Sequence, residues 1–163
     1  LQEISKTYAA VSFTITSATD SLAKKIEPNA PPTSERYNAM KALADKGIYT
    51  GITLMPILPF INDTRENIET IIRQAKDSGV SYILPMFGVT LRKGSREYFY
   101  MALDNQFPTI KAKYQSAFGE QYDCYSYDYK KLSDIFYNLC IKLGIETKMR
   151  FYEPKKYEQP SLF

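Results

Sequence analysis

The chain has 163 residues, of which 44% are hydrophobic and 24% charged, and its formal net charge is +3. This balance is typical of a globular domain with a real core, and it excludes an intrinsically disordered or fibrous chain. No apolar run approaches the roughly 18 residues that a membrane span needs, and we expect no signal peptide. We therefore predict a cytoplasmic protein with no membrane partner.

The sequence contains no histidine, and the spacing of its two cysteines, Cys124 and Cys140, matches no common metal site. The lack of histidine removes His-based triads, most zinc sites and the usual general base near neutral pH. In the cytosol both cysteines are expected to be ordinary thiols. Because no phosphate-binding loop or serine elbow is present either, the chain carries no obvious reactive group of its own.

The first predicted element is a strand over residues 10–16, in which apolar and hydroxyl side chains alternate. Three hydroxyl side chains share the face opposite the apolar one: Ser12, Thr14 and Thr16. With Ser17 and Thr19 next in the chain, this face suits a polar ligand above the carboxyl end of the strand. The alternative is a solvent-facing edge strand, because threonine is a good strand former.

A proline-rich connection at residues 26–32 leads to Arg36, which lies near the start of the next predicted helix. The prolines stiffen this connection and set the start of that helix. Arg36 could pair with Glu27, or it could hold a ligand carboxylate in a bidentate fork. A rigid exposed loop with solvated charges is the further alternative.

Three predicted helices share one ending, a glycine followed by an apolar residue. They cover residues 34–46, 64–78 and 128–143 and are followed by Gly47, Gly79 and Gly144. This pattern is typical of the Schellman ending. At the start of the second helix we predict that Asp63 is the cap and that Glu66 completes a capping-box-like pattern.

Strands are also predicted over residues 50–58 and 80–87, which are almost continuously apolar. Such strands, alternating with amphipathic helices, predict a parallel sheet covered by helices. The apolar loop at residues 55–63 could wall a flat ring, although Asn62 within it is explained by helix capping. Since an eight-stranded barrel needs about 250 residues, the chain forms either a small open sheet or part of a larger barrel.

The sequence changes character after the third strand. Residues 88–94 carry Arg92 and form either an anion-binding loop or a solvated turn. Residues 95–127 are crowded with tyrosine and phenylalanine and predict two short helices, over about 95–104 and 108–118. With nearby lysines these aromatic side chains could stack nucleic-acid bases, although such density is more typical of packing within a subdomain.

The order of these motifs along the chain resembles that of one family. Six features carry the resemblance: Val-Ser-Phe-Thr-Ile-Thr-Ser-Ala-Thr-Asp, Ile-Glu-Pro-Asn-Ala-Pro-Pro, Arg36, Lys-Gly-Ile, Met-Pro-Ile-Leu-Pro-Phe-Ile-Asn-Asp and Thr-Leu-Arg. From about Ala10 to about Arg92 the chain resembles radical S-adenosylmethionine proteins. Within them it is most similar to the spore-photoproduct-lyase-like group, often labelled DNA repair photolyases.

The resemblance implies an α/β fold of parallel strand–helix units that form part of a (β/α)6 partial TIM-type barrel. Residues 1–94 would be the C-terminal half of that barrel, and residues 95–163 a helical, aromatic-rich C-terminal extension packed on it. The family also has a [4Fe-4S] cluster, held by a Cys-x3-Cys-x2-Cys loop near the first strand. That loop is absent here, so we expect the chain to begin near the fourth strand and to contain no metal ligand.

In the family the cluster donates an electron to S-adenosylmethionine, whose cleavage yields a 5′-deoxyadenosyl radical; the cofactors supply this chemistry. The resemblance assigns no catalytic residue to this chain, but it places several residues around S-adenosylmethionine. Thr14, Thr16 and Ser17 would contact its ribose or methionine portion, Arg36 its carboxylate, Ile57, Pro59 and Ile61 its adenine, and Leu91 and Arg92 would close the far side.

The parent protein is therefore expected to be a lyase-type DNA repair enzyme, and this chain alone to be inactive. Its expected partners are the N-terminal half of the barrel and DNA or another nucleic acid. Exposed strand edges and apolar surface would also favour self-association. The alternative is a self-contained nucleic-acid-binding α/β module without catalysis.

Overall fold

A computed structural model describes residues 1–154 of the chain. The helices are α1 (Gln2–Ser5), α2 (Asp20–Ile26), α3 (Thr33–Ala44), α4 (Arg65–Asp77), α5 (Ser95–Gln106), α6 (Ile110–Phe118) and α7 (Tyr129–Leu143). The strands are β1 (Ala10–Thr14), β2 (Tyr49–Leu54), β3 (Tyr82–Pro85), β4 (Gly88–Thr90) and β5 (Asp123–Tyr125). No helix within residues 1–154 has the length and apolar character that crossing a membrane requires.

The predicted parallel sheet is confirmed. It has three strands in the order β1-β2-β3, and the register aligns Ser12 with Gly51 and Gly51 with Tyr82. Beyond β3, Glu146 forms a parallel bridge with Tyr82, so the chain after α7 continues along the free side of β3. Each successive segment is therefore added on the same side of the one before it.

Three helices and the sheet share one hydrophobic cluster. The strands contribute Ile52, Leu54 and Ile83. Helices α3, α4 and α7 contribute the fully buried side chains of Met40, Ile71 and Phe136, respectively. Burial of a side chain of this size contributes about 1.5–3 kcal/mol to stability, so this cluster holds the helices on the sheet.

The predicted helix endings are confirmed at all three positions. Gly47, Gly79 and Gly144 have φ of 72°, 72° and 65°, which is the left-handed region where glycine is favoured. After α3, the backbone N–H of Ile48 donates to the carbonyl oxygen of Leu43 at 3.1 Å, which is the long bond of a Schellman ending. Equivalent bonds join Val80 to Ala75 and Ile145 to Cys140.

A second hydrophobic cluster lies in the segment between β3 and α7. β4 and β5 pair antiparallel there, and α5 and α6 pack around Leu91, Leu103, Tyr114 and Cys124. The predicted extension over residues 95–163 includes α7, whose buried side chains pack in the first cluster. Residues 155–163 of the predicted extension lie outside the described part of the chain.

Helix α4 begins at a different cap from the predicted one. Thr64 is the N-cap residue, and its hydroxyl oxygen accepts from the backbone N–H of Asn67 at 3.2 Å. Asp63 instead accepts a hydrogen bond from the hydroxyl of Ser126, at 2.5 Å. The prediction of an Asp63 cap is therefore wrong, because threonine one residue later occupies the extended backbone position that a cap requires.

Candidate functional site

One face of the sheet carries hydroxyl side chains arranged in two layers. The hydroxyl oxygen of Ser12 lies 2.5 Å from that of Tyr82, and the Oγ1 atoms of Thr14 and Thr53 are 2.9 Å apart. Ser12 and Thr14 are exposed, whereas Phe13 between them packs against the first cluster. The predicted alternation along β1 is therefore confirmed, and its hydroxyl face is open to solvent.

Glycine at position 51 makes the contact between Ser12 and Tyr82 possible. A side chain on Gly51 would place its Cβ 2.1 Å from the ring of Tyr82, so the ring lies directly over the backbone of β2. Tyr82 is fully buried, and desolvation raises the pKa of its hydroxyl. The hydroxyl pair of Ser12 and Tyr82 is therefore neutral, and Ser12 is its solvent-exposed member.

Arg36 reaches the end of β1 from helix α3. Its Nη1 donates to the carbonyl oxygen of Thr14 at 2.7 Å and to the Glu27 carboxylate at 3.0 Å, and its Nε donates to the carbonyl oxygen of Pro31 at 2.8 Å. Only 9% of Arg36 is exposed. Of the alternatives for Arg36, the structure therefore shows the pair with Glu27, and the guanidinium also binds a carbonyl at the outer edge of the sheet.

The turn that follows β1 is held by asparagine side chains from another part of the chain. The carbonyl oxygen of Thr16 accepts from Asn62 Nδ2 at 2.7 Å and from Asn67 Nδ2 at 3.0 Å. Asn67 Oδ1 also accepts from the backbone N–H of Ala18 at 2.7 Å, and Asn62 Oδ1 from that of Leu58. These bonds join the turn after β1 to the loop between β2 and α4.

Asn67 is a residue of this network that the sequence motifs do not predict. A signal was present, since Asn67 lies one turn before Ile71 on the apolar side of α4 and is itself buried. A buried amide needs hydrogen-bond partners, so an asparagine on an apolar stripe points to a contact with another segment.

Thr16 and Ser17 are buried but differ in their hydrogen bonding. The Ser17 hydroxyl donates to the carbonyl oxygen of Thr19 at 3.1 Å, and the Ser17 carbonyl accepts from Thr33 Oγ1 at 2.9 Å. Thr16 Oγ1 is buried and has no hydrogen-bond partner among the described residues. Among the described side chains at this end of β1, the Thr16 hydroxyl is the one that is buried without a hydrogen bond, which is costly for a polar group.

The three residues predicted to surround an adenine do not form one wall. Ile57 is fully buried in the first cluster, and Pro59 is buried as well. Ile61 packs against the second cluster and lines a mainly apolar cleft of about 310 Å³, together with Lys25 and Phe107. The loop at residues 55–63 therefore connects the two clusters, and only Ile61 of the three faces a cavity.

Arg92 lies on the exposed loop between β4 and α5, and its side chain is hydrogen-bonded to that of Tyr122. The hydrogen bond between them raises the pKa of Arg92 and lowers the pKa of the Tyr122 hydroxyl. Thr90 also lowers the pKa of Tyr122 by hydrogen bonding. Arg92 thus contacts the segment that leads into β5.

The cysteines and carboxylates of the described part form no metal site. Cys124 and Cys140 are free and lie in different hydrophobic clusters. Burial raises the pKa of the Cys140 thiol to about 12 and also raises that of Cys124. Within residues 1–154 no group of three potential ligands could hold a metal ion. An iron–sulfur cluster therefore does not fit the described residues.

These features offer hydrogen-bonding hydroxyls at a sheet face but no activated nucleophile or base among the side chains described above. Comparison of the chain with protein-family models, curated proteins and solved structures finds no match. Its function is therefore inferred from the geometry and from the sequence resemblance.

Proposed function

We propose that the chain is the C-terminal part of a radical S-adenosylmethionine barrel of the spore-photoproduct-lyase-like kind, and that its sheet forms one wall of the S-adenosylmethionine site. The observation that carries the proposal is that the two faces of the sheet differ. One face packs against α3, α4 and α7, while the other presents the exposed hydroxyls of Ser12 and Thr14. A barrel strand has this pattern, with one face to the helices and one to the lumen.

The strand order supports the same proposal. β1, β2, β3 and the segment at Glu146 follow one another in a single direction with parallel orientation. A barrel adds its strands in this way, whereas a doubly wound sheet reverses direction at a switch point. The described strands are too few to close, so a (β/α)6 partial barrel stays a proposal about the parent protein.

The residues fit S-adenosylmethionine in part. Thr14 and Thr53 can bind polar atoms of its ribose or methionine portion, and Ile61 can contact an apolar ring, whereas the Thr16 hydroxyl is buried beneath this face. S-adenosylmethionine would supply hydrogen-atom abstraction only after cleavage by one electron from a cluster held elsewhere in the parent protein. The chain's own contribution is to orient this ligand.

The other predicted contacts act indirectly. Arg36 and Ser17 are committed to hydrogen bonds that fix the end of β1, and Ile57 and Pro59 anchor the loop after β2. These residues would position the ligand-facing hydroxyls rather than contact the ligand. The described residues supply no ligand set for the cluster, and we expect no catalysis by this chain alone.

Equilibrium dialysis with S-adenosylmethionine tests the proposal. The wild-type chain is expected to bind it weakly, and the double substitution Thr14→Val/Thr53→Val to reduce binding about tenfold, since two hydrogen bonds are lost at about 0.5–1.5 kcal/mol each. The matched control is Thr50→Val, on the same sheet but buried, with no partner for its hydroxyl in the described chain. Equal loss in the control, or no binding by the wild type, would reject the proposal.

A second candidate function is nucleic-acid binding without catalysis. The observation that favours it is a run of exposed tyrosines before and at the start of α7: Tyr122, Tyr125, Tyr127 and Tyr129. Aromatic side chains beside lysines are a common platform for single-stranded nucleic acid. Titration of a labelled oligonucleotide at increasing salt separates the candidates, because electrostatic binding to nucleic acid weakens steeply with salt.

A further inference from the structure

A groove between helices α4 and α7 combines positive charge with a free aromatic ring. Its volume is about 690 Å³. We propose that this groove binds single-stranded nucleic acid, with the backbone phosphates along the groove and a base stacked on Tyr127. The inference rests on nucleic-acid binding, the second candidate function, and it does not depend on radical chemistry.

The two helices supply the walls of the groove. On α4, Arg65, Glu69 and Arg73 recur one turn apart, so they line one side over about 12 Å. On α7, Lys131 and Lys142 mark a parallel stripe over about 16 Å. The helices pack directly on each other through the first cluster, so the groove has a rigid floor.

Positive charge is concentrated in this groove. Five cations line it against three carboxylates, Glu69, Asp128 and Asp134. The groove therefore has a net charge of +2. The whole chain, with 21 Lys and Arg against 18 Asp and Glu, has a net charge of +3. Arg65 is paired with Glu69 at 2.7 Å, whereas Arg73 and Lys131 have no carboxylate partner within residues 1–154. These two cations are available for phosphate groups.

Tyr127 stands at the end of the groove with its ring uncovered. It is 95% exposed, whereas the rings of its neighbours Tyr125 and Tyr129 pack against each other with centroids 5.7 Å apart. Within the described residues Tyr127 has no aromatic partner. Because both of its faces meet solvent, a base can stack on it without any rearrangement of the protein.

The shape of the surface favours a single strand over a duplex. A groove between two packed helices is concave, whereas a duplex is read by a helix or β-ribbon that projects into its own grooves. An unpaired strand exposes its bases and can place one on Tyr127 while its phosphates follow Arg73 and Lys131. An acidic peptide would meet the same cations but has no base for the ring.

Fluorescence anisotropy of a labelled, mixed-sequence single-stranded oligonucleotide tests the groove. The charge variant is Arg73→Gln/Lys131→Gln, and its matched control, Lys24→Gln/Lys46→Gln, removes the same charge from exposed positions outside the groove. The groove variant is expected to lower the salt slope by about 1.4, since each lost phosphate contact contributes about 0.7 for a single strand. The control is expected to keep the wild-type slope.

The ring is tested in the same assay. Tyr127→Ala is expected to weaken binding roughly 5- to 150-fold, which corresponds to the loss of one stacked base. Tyr98→Ala, on helix α5 and 69% exposed, is the matched control and is expected to change affinity less than about twofold. Circular dichroism checks that all variants keep the wild-type helix content.

Three results would overturn the inference, and they are distinguishable. No binding by the wild-type chain would reject nucleic-acid binding altogether, and the groove with it. Binding that both groove and control variants weaken equally would reject only the groove. Competition by polyglutamate as strong as that by an unlabelled oligonucleotide would reject the assignment to nucleic acid and point to an acidic protein partner.

Discussion

The side-chain amide of Asn67 donates to the carbonyl oxygen of Thr16 at 3.0 Å, across 51 positions of the sequence. The same asparagine accepts from the backbone N–H of Ala18 and donates to the carbonyl oxygen of Asn62. One buried residue of α4 therefore holds the turn after β1 and the loop after β2 together. The position of the hydroxyl groups at the carboxyl end of the sheet depends on this contact.

Substitution of Asn67 is expected to loosen that turn. Asn67→Ala leaves the N–H of Ala18 without its partner, so we expect a loss of about 1–3 kcal/mol in the free energy of unfolding. Urea denaturation followed by circular dichroism measures it. Asn38→Ala, an exposed position on α3, serves as the control and should cost less than about 0.5 kcal/mol. Equal stability of both variants would contradict the role of Asn67.

The ion pair of Arg36 is expected to stabilise the fold more than that of Arg65. Both arginines pair with a glutamate, but the Arg36 side chain is 10% exposed and the Arg65 side chain 68%. Arg36→Met removes bonds to Thr14, Pro31 and Glu27, and we expect it to cost about 2–4 kcal/mol.

Arg65→Met is the matched control for Arg36→Met. It breaks an exposed pair within one helix and should cost less than about 1 kcal/mol. Chemical denaturation of both variants compares them under one condition. If the two losses are equal, Arg36 contributes no more than a surface pair, and the proposed anchoring of β1 is wrong.

Gly51 and Tyr82 are expected to be energetically coupled. Gly51→Ala places a methyl group where the Tyr82 ring lies, so we expect a loss of about 1–3 kcal/mol in the free energy of unfolding. Tyr82→Leu should relieve this clash, so the double variant is expected to be more stable than the sum of the single losses predicts. A double-mutant cycle by urea denaturation measures the coupling; additive losses would show that the ring does not cover Gly51.

Asp20 gives the fold a defined pH dependence. Its carboxylate accepts from the Ser34 hydroxyl at 2.7 Å and from the backbone N–H of Ser34 at 2.9 Å, which holds the pKa of Asp20 below its ordinary value of 3.8. A carboxyl whose pKa is lower in the folded state stabilises that state at neutral pH, and this contribution is lost as the pH falls from 3.8 through the folded-state value.

Asp20→Asn should therefore lower the Tm at neutral pH, and its difference from the wild type should shrink in acid. Thermal unfolding at several pH values measures this difference. Asp77→Asn, which removes the same charge from an exposed carboxylate with no hydrogen bond from the described residues, is the matched control. A difference in Tm between Asp20→Asn and the wild type that stays constant with pH would rule out the hydrogen-bonded carboxylate as its cause.

Much of the framework was predictable from local sequence. The endings of α3, α4 and α7 depend on a left-handed backbone conformation that glycine favours, and all three predicted endings are confirmed. The alternation along β1 is confirmed because the strand has one covered face. Helix α2 was not predicted, since its seven residues follow a Thr19 cap and are too few to show a helical period.

The site residues were less predictable because their roles depend on contacts across the chain. The positions of Arg36 and Ile57 near strand ends predict ligand contacts, yet Arg36 is bound to Glu27 and Ile57 is fully buried. The alternation of β1 predicts the direction of Thr14, which lies on the open face. A pattern along one strand predicts the direction of a side chain, whereas it cannot predict which distant group that side chain meets.

The most direct test is to map S-adenosylmethionine on the backbone amide spectrum of the ¹⁵N-labelled chain. We expect dose-dependent shifts that cluster at Ser12, Thr14, Thr16 and Thr53, on the open face and carboxyl end of the sheet, and that disappear in Thr14→Val/Thr53→Val. Shifts confined to the outer helices, or no shifts at saturating ligand, would contradict the claim that this sheet face is a wall of the ligand site.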